Sequence, residues 1–154
     1  MIVRTATPAD LLLIDHLRRK ESESLGFLPL CAYARVLDGQ RPEWGLWIAE
    51  ENADAIGFLM ASGGAAGASA HIHQVAVRND ARRMEFASAL VATAEEWATL
   101  RQRQGLTCRV ATDIPATSFW DALGFDVRGL EPGGKRRQRT LERRYRLLPV
   151  AMVA

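Results

Sequence analysis

Apolar residues recur along this chain at two different periods, and the switches between them lay out its elements. Ile2 to Thr5 reads as a short strand. Thr7-Pro8-Ala9-Asp10 then carries the marks of a helix start: a capping hydroxyl, a proline at the first helical position and an early acid. Leu12, Leu13, Ile14 and Leu17 follow at helical spacing, so a helix is predicted toward Ser24, with Gly26 ending it. A second helix is predicted from Pro29 to Leu37, closed by Asp38-Gly39. Trp44 to Glu50 and Ala55 to Ser62 read as two strands of a hairpin around Glu51-Asn52-Ala53-Asp54. Gly63 to Ser69 is a small-residue loop, and Ala70 to Arg78 alternates as a strand. That alternation puts Ile72, Gln74 and Ala76 on one face and His71, His73, Val75 and Val77 on the other.

The clearest helix spans Arg83 to Arg103, with Phe86, Leu90, Ala94 and Trp97 along one stripe and Gly105 as its stop. Beyond it lie a strand at Thr107 to Thr112, a short helix at Pro115 to Leu123 ended by Gly124, and a strand at Phe125 to Leu130. Glu131-Pro132-Gly133-Gly134 reads as a turn, and Thr140 to Leu148 as the last strand. The order is β-αα-ββ-β-α-β-α-β-β. Strands alternating with helices point to an α/β (α+β) domain, a mixed sheet covered by helices. No repeat or linker divides the chain, so residues 1–154 are expected to form one domain.

Composition adds little to this until it is resolved along the chain. The net charge is +2. Residues 135–146 carry seven basic groups and one acid, which leaves 13 basic against 17 acidic residues elsewhere. This arginine-rich segment could meet an acidic acceptor, a phosphate or nucleic acid, or simply guard an edge strand. Cys31 and Cys108 form no CxxC or Cys/His cluster, so neither a disulfide framework nor a metal site is indicated and a reducing, cytoplasmic setting is expected. No leader and no apolar run long enough to span a membrane is visible.

The stretch Val75 to Leu90 leads from a strand through a short loop into the N-terminus of a long helix. Unpaired N–H groups and the helix dipole at such a place bind phosphates, and Arg82 and Arg83 add charge there. Within it, Arg82-Arg-Met-Glu85-Phe-Ala87 resembles the Arg/Gln-x-x-Gly-x-Gly/Ala loop of the GNAT superfamily of N-acetyltransferases. Asp113-Ile-Pro-Ala116-Thr-Ser-Phe-Trp120-Asp-Ala-Leu-Gly124-Phe125 resembles the family's Asn-x-x-Ala-x-x-x-Tyr-x-x-x-Gly-Phe segment. The element order resembles the family's over nearly the whole chain.

The resemblance implies a mostly antiparallel sheet of six or seven strands with helices on both faces. It implies an enzyme that moves an acetyl or other acyl group from acyl-CoA to an amine, with no metal. The backbone of Val75, Ala76 and Val77 would hold the pantetheine arm. Arg82, Arg83, Met84, Glu85, Phe86, Ala87 and Ser88 would cradle the pyrophosphate, with Asp113, Phe119 and Trp120 completing the cofactor side. The sequence departs from the family at Glu85, which stands where glycine lets the backbone approach phosphate. It departs again at Trp120, which stands where a tyrosine often protonates the leaving thiolate and which cannot itself act as an acid.

Acyl transfer needs a neutral amine, hence a proton acceptor. His73 is the first candidate, with His71 beside it on the same strand, because imidazole titrates in the useful range. Gln74 is a candidate for orienting a carbonyl or water. His71-x-His73 has a spacing feasible for a metal, but no third ligand is apparent. Tyr145 is a remote candidate for the missing acid. Two other readings remain open, a binding module that keeps this fold without catalysis and an acyltransferase acting on nucleic acid. The acceptor is unidentified, and exposed edge strands are compatible with a homodimer.

Overall fold

The computed structural model describes residues 1–21, 28–64, 68–79, 83–114, 116–133 and 139–150. The elements in chain order are β1 (Ile2–Thr5), a 3-10 turn (Pro8–Asp10), α1 (Leu11–Lys20), α2 (Leu30–Leu37), β2 (Trp44–Glu51), β3 (Asp54–Ser62), β4 (Ala70–Val77), α3 (Arg83–Leu100), β5 (Gly105–Ala111), α4 (Thr117–Ala122), β6 (Asp126–Pro132) and β7 (Thr140–Leu147). They build one seven-stranded sheet in the order β1-β2-β3-β4-β5-β7-β6. Every neighbouring pair is antiparallel except β4–β5. The element order predicts a mixed α/β sheet covered by helices, and the seven mostly antiparallel strands are what the family resemblance implies.

Two apolar layers cover the sheet. Phe86, Leu90, Ala94 and Ala98 of α3 and Phe119 and Trp120 of α4 pack with Leu59, Ile72, Leu106 and Cys108 on one face. Ile14 and Leu17 of α1 and Tyr33 of α2 pack with Ile48, Phe58 and Met60 on the other. Burial of side chains this large, each stabilising by about 1.5–3 kcal/mol, is what fixes the helices on the sheet.

The N-terminal turn shows how local chemistry anchors the layers. The Thr7 N–H donates to Asp10 Oδ2 at 2.7 Å. Arg4 donates both terminal nitrogens to the same carboxylate, at 2.8 and 2.9 Å, and its Nε to Glu50. Arg4 thereby joins β1, the helix start and β2, and it holds the Asp10 carboxyl below its ordinary range.

Several boundaries differ from the periodicity. α1 ends at Lys20, where Glu21 leaves the helical conformation, short of the run toward Ser24 read from the spacing, and Gly26 lies outside the described residues. α3 stops at Leu100 rather than Arg103, because Gln102 takes a left-handed conformation with φ 60°. Gly105 is not the helix stop but the first residue of β5, where the Tyr145 ring lies against its Cα. A side chain there would run into that ring. Glu131 and Pro132 belong to β6 rather than to a turn.

The most consequential difference is in β4. Met60 pairs with Gln74, but Ala61 pairs with Ile72, so His73 is an extra residue, a β-bulge. The bulge switches the side-chain alternation. Ile72 packs with Val75 and Val77 on the α3 face, whereas Ala76 faces the α1–α2 layer with the buried Gln74, which bonds to Tyr33 there. The strict alternation read from the sequence, with Ile72, Gln74 and Ala76 together, fails for this reason.

Candidate active site

The parallel strands β4 and β5 pair only at Ala70 with Leu106 and at His71 with Thr107. Past that point they diverge, and among the described residues β4 from Ile72 to Val77 has no partner strand on its β5 side. The strand keeps its β3 partner throughout, and Gly57 of β3 permits a close approach. A Cβ on Gly57 would stand 2.9 Å from the Ala76 carbonyl oxygen and from Val77 Cγ2. The result is a wedge whose one wall is a free backbone edge, able to bond an extended ligand as an added strand would.

The free edge leads toward the start of α3. Arg78 and Asn79 are exposed, and Arg78 has no ion-pair partner among the described residues. Arg82 lies outside the described residues. Arg83 begins α3 and its NH2 group is 3.4 Å from Glu21 of the chain after α1. Met84 and Glu85 are exposed in the first turn, Phe86 and Ala87 are buried and Ser88 is half-buried. From Phe86 and Ala87 only the backbone is therefore available to a ligand. The first turn presents helix N–H groups and the positive end of an 18-residue dipole. An acyl-CoA fits these features, an extended pantetheine on the β4 edge and a pyrophosphate at the α3 terminus.

A polar cluster sits at the apex of the wedge. Trp44, Ser62, His71, Thr107 and Tyr145 are cross-strand neighbours in one row over β2, β3, β4, β5 and β7. The His73 ring stacks on Trp44, with centroids 4.4 Å apart, and meets the edge of His71 at 4.7 Å. His73 Nε2 is 2.8 Å from Ser62 Oγ. His71 Nδ1 is 2.8 Å from Thr107 Oγ1, whose hydroxyl donates to the Ala70 carbonyl at 3.2 Å. With the one hydroxyl proton committed, Nδ1 of His71 must be the donor, which leaves the lone pair on its Nε2. Burial pushes both imidazoles down to about 4, reinforced by the Arg109 guanidinium and, for His73, by His71. Both rings are therefore neutral near pH 7.

The other expected site residues lie elsewhere. Gln74 is buried, and its Oε1 accepts a hydrogen bond from the Tyr33 hydroxyl. Burial raises that phenol to about 12, so the pair is a brace between α2 and β4. Phe119 and Trp120 are buried in the α3-side core, edge to face at 5.1 Å, and Trp120 meets Phe125 at 5.0 Å. Asp113 is exposed and 3.3 Å from Arg139. Trp44, Ser62 and Thr107 carried no motif. Only strand register, which turns residues distant in sequence into neighbours, brings them to the histidines.

The arginines of the C-terminal segment that lie in the described residues are all ion-paired: Arg139 with Asp113, Arg143 with Glu131, Arg144 with Asp121 and Glu142, and Arg146 with Glu95. Arg144 is a buried clamp that also donates to the Phe125 carbonyl. Among the described residues no cluster of three His, Cys, Asp or Glu side chains could hold a metal, and no helix is long and apolar enough to cross a membrane.

Comparison with known proteins agrees with this fold. The sequence model of the acetyltransferase (GNAT) family matches residues 13–125, and the chain belongs to that family. It is thus a GNAT N-acetyltransferase of the acyltransferase class EC 2.3.1, and the family's donor is acetyl-CoA. Solved structures share the fold at low identity. A ribosomal-protein-alanine N-acetyltransferase from Brucella melitensis is 20% identical with a TM-score of 0.79, over 96% of this chain and 100% of that one. An aminoglycoside 6'-N-acetyltransferase from Enterococcus faecium is 15% identical, TM-score 0.73, over 99% and 100%. The protein yncA from Salmonella typhimurium, solved with its cofactor acetyl-CoA, is 15% identical, TM-score 0.80, over 100% and 97%. Comparison with curated protein sequences gives no match.

Proposed function

We propose that acetyl transfer takes place at the apex of the β4–β5 wedge and that His71 receives the proton of the attacking amine. The observation that carries this reading is the hydrogen-bond chain His71–Thr107–Ala70, which leaves His71 Nε2 with its lone pair and without a partner among the described residues. His73, the stronger candidate by position in the sequence, has its Nε2 engaged by Ser62 and its ring covered by Trp44. Its role here is to hold His71 edge-on and to fill the bulge.

Bound acetyl-CoA supplies the acyl group as a thioester: the amine nitrogen bonds to the carbonyl carbon, the carbon–sulfur bond breaks, and the amine proton ends on the thiol. Backbone N–H groups on the β5 side of β4, from Val75 to Val77, polarise the acyl oxygen. His71 Nε2 takes the proton as the new bond forms and returns it as the sulfur departs, so no separate tyrosine acid is required. The neutral imidazole holds its lone pair at pH 7, and burial makes it a weaker base than a free one. Binding is supported by the α3 terminus with Arg78 and Arg83, while Glu85 weakens it by placing a carboxylate near the phosphates.

The test is acetyl-CoA turnover over an amine panel, read as thiol release. His71→Asn keeps a donor for Thr107 but has no proton acceptor. It is expected to lower kcat about a hundredfold, with acetyl-CoA affinity retained. An unchanged kcat would remove His71 from this role.

A further inference from the structure

The α1–α2 layer stops at β4, and the same face of β5, β7 and β6 carries no helix among the described residues. This open face continues directly from His71. Thr107, the partner of His71, is followed two residues along β5 by Arg109, which pairs with Arg143 of β7. Tyr145 stands beside Thr107, and the Arg128 guanidinium covers its ring at 4.8 Å. Two glycines make the surface flat. Tyr145 lies on Gly105 and the Arg143 guanidinium lies on Gly129, and a Cβ at either glycine would collide with the group above it.

The charge of this face is lopsided. Arg109 and Arg143, both more than half exposed, share the single carboxylate of Glu131, at 2.6 and 3.7 Å through their Nε atoms. The terminal nitrogens of Arg109 have no partner among the described residues. Asp126, at the sheet edge beside Tyr145, is the other acid on this face among the described residues. The face therefore presents three guanidinium groups to two carboxylates, and the Arg109 fork, nearest the histidines, is free to take a further anion.

We infer that the acceptor is a peptide N-terminus followed by acidic residues, with its amine at His71 and its side-chain carboxylates on Arg109 and Arg143. This deepens the reading of the apex as the transfer site and rests on it. The spacing fits an extended chain. Arg109 lies two residues beyond Thr107, about 7 Å along the strand, and an extended peptide advances about 7 Å over two residues. The openness fits as well. A free small amine would find no enclosing walls on this flat face, whereas a peptide gains its binding from several contacts spread along it. A polycationic acceptor would meet Arg109, Arg143 and Arg128 with like charge.

The experiment compares peptides that share one N-terminal residue and carry Asp or Glu, their amide isosteres, or Lys at positions two and three. Free amino acids form a separate arm. Transfer is followed by thiol release and mass, and acetyl-CoA binding is measured calorimetrically in parallel. The acidic peptides are expected to exceed their isosteres about tenfold or more in kcat/KM, chiefly through KM. Arg109→Gln should remove that preference and Arg109→Glu should shift it toward the Lys peptides, with acetyl-CoA binding unchanged in both. Equal rates for acidic and amide peptides, indifference to Arg109, or transfer confined to free amino acids would each overturn the acidic-peptide inference while leaving the transfer site standing. Failure to bind acetyl-CoA at all would bring down the transfer site, and the inference with it.

Discussion

Acid should unfold this protein through the two histidines at the wedge before it reaches most carboxylates. His71 and His73 are held down from 6.5 to about 4, both by burial first, His71 also by Arg109 and His73 also by His71 and Arg109, so the folded protein refuses protons that the unfolded chain accepts. Where the unfolded state binds more protons, stability rises with pH; it is complete above about 6.5 and is lost as pH falls toward 4. One pKa unit corresponds to about 1.4 kcal/mol, so the full separation would be worth about 3 kcal/mol per ring. Both rings are only half-buried, and solvent screening reduces this to about 1–2 kcal/mol each. The second proton is further disfavoured by the first, since the rings are 4.7 Å apart. The perturbation is the double variant His71→Asn, His73→Gln, which preserves donors toward Thr107 and Ser62 but does not titrate. Urea unfolding at pH 7 and pH 5 should show the wild type losing about 1–2 kcal/mol more than the variant over that interval. Asp10, held low by Arg4, titrates below this window, and Glu95, raised by burial, contributes equally to both proteins. Identical pH dependence in the two proteins would refute the assignment of buried, neutral histidines.

Three further outcomes follow from the packing. Gly57→Ala should cost about 1–3 kcal/mol in chemical denaturation and, by displacing β4, weaken acetyl-CoA binding, because its Cβ would press on Ala76 O and Val77 from the β3 side. Arg144→Ala should destabilise by about 3 kcal/mol, since it strands Glu142 and the Phe125 carbonyl beside a buried gap, and Arg144→Met should recover part of that loss. Glu85→Gly should tighten acetyl-CoA binding in calorimetry by removing an exposed carboxylate from the first turn of α3, with a small loss of thermal stability in the absence of ligand.

The elements were largely legible in the sequence because each carries its own period and punctuation. The stripe from Phe86 to Ala98 defines α3, and the alternation from Ala70 to Val77 defines β4. What the sequence did not carry is register. Nothing local marks His73 as a bulge, since a bulge is a mismatch between two strands and exists only once β3 lies beside β4. That one extra residue put Ile72 on the opposite face from Gln74, which lies buried under α2, and left the histidines among Trp44, Ser62 and Thr107. The same applies to Gly105. In sequence it punctuates a helix, and in the sheet it is the bed of an aromatic ring forty residues further on. The family motifs located the strand edge and the helix terminus, because those depend on local chain direction, but the side chains at the apex are set by pairing across five strands.

The most direct test of the transfer site is a crystal structure of the protein with acetyl-CoA. The pantetheine should lie along β4 with the acyl oxygen bonded to a backbone N–H from Val75 to Val77, the pyrophosphate at the start of α3, and the acetyl group next to His71 Nε2. An acetyl group far from the His71–Thr107 pair, or a pantetheine that leaves the β4 edge free, would contradict it.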